Sequence, residues 1–189
     1  MKKVVFVAAL LVTLALTATA QSKSSEAIRQ QIRNAHADKS LALSSDPGGN
    51  TSKLMGVSEN FADGEASSAG IRAMNFAVGF FYAGQDLAKS PDQVMLTFWV
   101  LTKKPRFAEN HHLAVVLPNE TLDLGDARYA AKPRSDMEYL NFEISRENLK
   151  KIVKSNARIH LGDHDFTLTR EQMKLLGDVL LVSDIKQTS

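Results

Sequence analysis

The chain has 189 residues, no cysteine, and 23 basic against 21 acidic side chains. Lys2 and Lys3 precede an apolar run, and without them the charge balance is neutral, which leaves no basic stripe for a phosphate backbone and argues against a nucleic-acid partner. With no disulfides available, stability must come from one hydrophobic core, and a chain of this length with 44% hydrophobic residues is long enough to bury one as a single domain.

Met1-Lys2-Lys3, the apolar run Val4 to Leu16 and the small-residue end Ala18-Thr19-Ala20 have the order of a secretory leader. The run is shorter than the roughly 20 residues that span a bilayer, so cleavage between Ala20 and Gln21 is expected, with export to the periplasm or beyond and no stable membrane anchor afterwards. Residues 21–50 read as a polar lead-in, either a short amphipathic helix through Ile28, Ile32 and Ala35 or an exposed spacer ahead of the domain, closed by the breaker Asp46-Pro-Gly-Gly-Asn50. Residues 51–189 read as one β-rich globular domain.

Leu54, Met55, Val57 and Phe61 suggest a short edge strand, and Ala62 to Gly70 a loop. Met74, Phe76, Val78, Phe80 and Tyr82 share one parity and predict a strand, with Gly79 and Gly84 opposing a helix. Val94 to Leu101 is apolar on both parities, which predicts a central strand covered on both faces with Phe98 and Trp99 in the core. After a polar connection, Thr102 to His111, alternation resumes at Leu113, Val115 and Leu117. Pro118-Asn119-Glu120 and Gly125-Asp126 then predict turns on either side of a strand at Thr121 to Leu124, with another strand near Arg128 to Lys132.

The clearest signals lie between Met137 and Val182. Leu140, Phe142 and Ile144 alternate with Tyr139, Asn141 and Glu143 as a half-buried strand. Ser145 is placed to cap a helix with Glu147 in its first turn and Leu149, Ile152 and Val153 on its apolar stripe. Gly162-Asp163 suits a two-residue hairpin turn, which pairs Leu161 with His164, His160 with Asp165 and Ile159 with Phe166. Thr169 and Gln172 have capping-box spacing before a second helix that buries Met173, Leu176 and Leu180 and is exposed to early termination at Gly177. The expected fold is α+β and β-rich, an antiparallel β-sandwich or rolled sheet with two C-terminal helices packed on it.

No familiar catalytic or cofactor motif occurs: there is no G-x-S-x-G, no phosphate-binding glycine loop, no H-E-x-x-H and no nucleophilic cysteine. The expectation is therefore no assigned catalytic, cofactor-binding or metal residue, and a non-catalytic binding module whose loops at Ala62–Gly70 and Thr102–His111 meet a protein or a small molecule. The competing expectation is a small exported hydrolase or metal-dependent enzyme using His111, His112, His160 or His164. Opposite parities keep His160 and His164 from converging on one ion within the hairpin, and Lys103, Lys104 and Arg106 read as a solvated charge run.

Overall fold

The computed structural model describes residues 30, 41–46, 51–61, 63–83, 91–132 and 135–183. The leader, the lead-in apart from Gln30 and residues 41–46, the breaker at 47–50 and Gly84 lie outside those residues. The fold is α+β and β-rich, and the described residues from Leu41 onward form two antiparallel sheets and three helices. Among the described residues no helix is long and apolar enough to cross a membrane.

The larger sheet has six strands: β1 (Leu41–Asp46), β2 (Thr51–Val57), β3 (Ile71–Ala83), β4 (Gln93–Thr102), β7 (Arg128–Ala131) and β8 (Met137–Ser145), in the order β1-β2-β3-β4-β8-β7. The smaller sheet joins β5 (His112–Val116), β6 (Thr121–Asp126), β9 (Arg158–Leu161) and β10 (His164–Thr167) in the order β10-β9-β5-β6. The strand expected at Leu54–Val57 is thus second from the edge, because β1 extends the sheet into the region assigned to the lead-in.

Alternation decides which side chains meet between the sheets. Phe76, Val78 and Phe80 of β3, Val94, Leu96 and Phe98 of β4, and Leu140, Phe142 and Ile144 of β8 turn inward and are fully buried. Leu113, Val115, Ile159, Leu161 and Phe166 close on them from the smaller sheet. Edge-on and tilted aromatic contacts link the layers, from Phe142 to Phe98 (6.0 Å), Phe98 to Phe76 (5.9 Å), Phe76 to Phe61 (6.1 Å) and Phe61 to Phe166 (5.5 Å).

Trp99 does not join them. It has the parity opposite to Phe98, lies half-buried on the outer face of the six-stranded sheet, and pairs across the ladders with Asn75 and Tyr139. Strands on both sides shield Met95, Trp99 and Leu101, which is why the sequence of β4 is apolar on both parities although only one face is in the core.

The turn expected at Gly125-Asp126 is replaced by a corner. β6 and β7 run on through Ala127, whose buried N–H donates to the His111 carbonyl at 3.1 Å, so the chain leaves the smaller sheet and enters the larger one without reversing. A register shift opposite Leu113 and Ala114 marks the bend. The segment after Phe61, expected as a loop, contains α1 (Asp63–Ser68).

Ser145 caps α2 (Arg146–Val153), its hydroxyl accepting from the Asn148 N–H at 3.1 Å. The hairpin has the anticipated register, Leu161 opposite His164, His160 opposite Asp165 and Ile159 opposite Phe166. Gly162 turns it with φ +58°, where a Cβ would stand 2.7 Å from the Asn110 carbonyl oxygen. The capping box of α3 (Arg170–Ser183) is reciprocal: Thr169 N–H donates to Gln172 Oε1 at 2.9 Å, and Gln172 N–H to Thr169 Oγ1 at 3.1 Å. The buried stripe of α3 is Leu175, Leu176, Val179 and Val182, rotated from the expected one, with Met173 and Leu180 only half-buried. Gly177 does not end the helix, because it faces Val153 of α2 where the two helices pack.

Candidate functional site

The four histidines under suspicion occupy separate settings. His112 stands between two carboxylates, with Nδ1 at 2.9 Å from Asp126 and Nε2 at 3.0 Å from Asp123. Because the carboxylates meet opposite ring nitrogens, they do not converge on a common point beside the imidazole. His160 Nδ1 lies 2.9 Å from Asp165, which also pairs with Arg158 at 2.9 Å. The hydrogen bond from His160, helped by the Arg158 charge, holds the Asp165 carboxyl below its usual range. His164 sits edge-on to Phe107 and Phe166, and His111 stacks on Tyr129 at 5.7 Å while its Nδ1 approaches the Phe107 carbonyl at 3.1 Å. Among the described residues no three His, Asp or Glu side chains are arranged to hold one ion.

Glu138 is a buried charged group that no sequence motif singles out. It is 2% exposed, and its carboxylate accepts from Thr102 Oγ1 (3.1 Å), the N–H groups of Arg106 and Phe107 (3.0 Å each at the shorter approach) and the Tyr129 hydroxyl (3.1 Å). Burial, then the Glu138 charge and its hydrogen bond, push the Tyr129 hydroxyl up to about 12. The carboxylate thereby ties the β4–β5 connection to β7 and β8, and Phe107 is drawn into the core beneath it. One sequence signal was present: Glu138 has the inward parity of Leu140, Phe142 and Ile144.

Both loops nominated for recognition meet at this end. The Arg106 guanidinium lies directly over Gly70, and Asn110 donates to Asp163 at the hairpin turn (2.7 Å). Lys103 and Lys104 remain exposed beside it. The surface they form is tied down by internal bonds.

A cleft of about 750 Å³ opens at the other end of the smaller sheet. Three short features build it: the Leu117–Glu120 turn between β5 and β6, closed by Leu117 N–H to Glu120 carbonyl (2.9 Å); the residues after α2; and the first turn of α3. Leu117, Val153, Leu168 and Met173 supply an apolar floor, with Asn119, Asn156, Lys154 and Arg170 around it. The size falls within the range of small-molecule sites, about 300–1,000 Å³, and the lining is mixed, with more polar than apolar residues around a small apolar floor. Nothing in the sequence pattern announced it, since its residues come from three segments that only the fold brings together.

The chain matches no family model, no curated protein and no solved structure. Fold and cleft define it as a two-sheet β-rich domain with a candidate small-ligand site between a hairpin turn and two helix ends.

Proposed function

We propose that the protein is an exported, non-catalytic binding module that takes a small ligand in the cleft between the β5–β6 turn and the ends of α2 and α3. The cleft is the observation that supports this reading: it combines a small apolar floor with the polar side chains of Asn119, Asn156, Lys154 and Arg170. The leader-like residues 1–20 support the export component. The Thr102–His111 loop takes a scaffolding role in this proposal, because Glu138 holds its Thr102 hydroxyl and the backbone N–H groups of Arg106 and Phe107.

A mixture of small amphipathic molecules added to isotopically labelled protein tests the proposal by amide shifts. Shifts concentrated at residues 117–120, 153–156 and 168–173 support it. Turnover of ester, glycoside or phosphoester substrates by the wild type, lost in a His112→Ala or His160→Ala variant, overturns it in favour of a histidine-dependent enzyme.

A further inference from the structure

The charges around the cleft are unbalanced in one direction. Lys154, the residue that caps the C-terminus of α2, and Arg170, the first residue of α3, both line it and both are exposed. Among the described residues neither is in ion-pair contact with a carboxylate. The one carboxylate in the lining, Glu120, is already taken by Lys151 at 3.0 Å. What remains is two cations outside any ion-pair contact, Lys154 acting on Glu147 only through its charge, above a small floor of Leu117, Val153, Leu168 and Met173, with the amide side chains of Asn119 and Asn156 beside them.

We infer that the ligand of this cleft is a small amphipathic carboxylate, its anionic head held by Lys154 and Arg170 and its apolar body lying on Leu117 and Met173. Arg170 suits a carboxylate particularly well, since its planar guanidinium donates two parallel N–H bonds to the two oxygens, whereas Lys154 adds a point charge. The first turn of α3 strengthens the same preference: its dipole is positive where Arg170 stands. The apolar floor rejects a fully solvated inorganic anion, which gains nothing from Leu117 or Met173. The inference rests on the cleft being the binding site, and the test separates the two.

Decanoate, 1-decanol and decyltrimethylammonium, each below its aggregation limit, are titrated into the full exported chain by calorimetry and amide shifts, with wild type, Lys154→Gln/Arg170→Gln and Met173→Trp. The expected result is one decanoate per chain with shifts at the cleft, affinity reduced at least about tenfold in the double variant as charge-assisted bonds are lost, and binding abolished when the Met173→Trp ring fills the floor. The two exposed substitutions leave the thermal transition unchanged, so lost binding is not lost folding. Decanol bound as tightly as decanoate, with no effect of the double variant, overturns the anionic head and leaves the cleft standing. Shifts away from the cleft, or no shift with any of the three probes, overturn both. Sedimentation with phosphatidylglycerol vesicles in the absence of decanoate binding also overturns the inference, since the cations then serve a lipid surface.

Discussion

Tyr129 donates its hydroxyl proton to Glu138 at 3.1 Å, from a strand that Glu138 itself helps fasten to the β4–β5 connection. The phenol is the one donor in that set able to ionise in a convenient pH range, and it reports on the carboxylate. Its folded-state value, about 12, lies above the ordinary 10, so the stabilisation it contributes is complete below about pH 10 and is lost as pH rises toward 12. Absorbance titration should find a phenol ionising at about 12 that disappears in Tyr129→Phe. Glu138→Gln should lower that value toward 10 and cost about 1–3 kcal/mol, because a neutral amide leaves buried N–H groups less well satisfied. Superimposable titrations of wild type and variant would show that Glu138 does not govern the phenol.

Phe142 and Trp99 make a second comparison, because both sit mid-strand and both are large. Phe142→Ala should cost about 3–5 kcal/mol through lost burial and the cavity left against Phe98. Trp99→Ala should cost only about 1–2 kcal/mol, in keeping with a ring half-covered on the outer sheet face. Urea denaturation with unchanged slopes decides it, and equal costs would put Trp99 back in the core.

The hairpin offers a third. Gly162→Val should destabilise by about 1–3 kcal/mol from the left-handed backbone alone, before the clash with the Asn110 carbonyl is added. His160→Ala should cost a few tenths to about 1 kcal/mol, since its partner Asp165 is exposed. The Asp165 carboxyl is held low, so its small contribution is present above the usual carboxylate range and fades as pH falls through the depressed value. Calorimetry with zinc, copper and nickel on wild type and His160→Ala/His164→Ala should show no tight stoichiometric binding in either. Tight binding lost in the double variant would promote a metal site.

Much of this fold can be read locally. Ser145, Gly162-Asp163 and Thr169 with Gln172 each specify a cap or turn within a few residues, and the observed bonds are those the spacing implies. Where the reading failed, the deciding contacts were distant in sequence. Trp99 lies on the outer face and not in the core, because the lateral shielding by β3 and β8 that permits an apolar side chain there is invisible in β4 alone. The corner at Ala127 depends on a bond to His111, and the rotation of α3 depends on Leu175 and Val179 fitting against Gly56. The cleft was beyond reach for the same reason: Leu117, Lys154 and Arg170 belong to three segments with no common pattern.

A crystal structure grown with decanoate tests the binding account most directly. The account predicts density in the cleft, with the carboxylate within hydrogen-bond reach of Lys154 and Arg170 and the alkyl chain over Leu117 and Met173. Density beside Trp99 on the outer sheet face, with the cleft filled only by solvent, would contradict it.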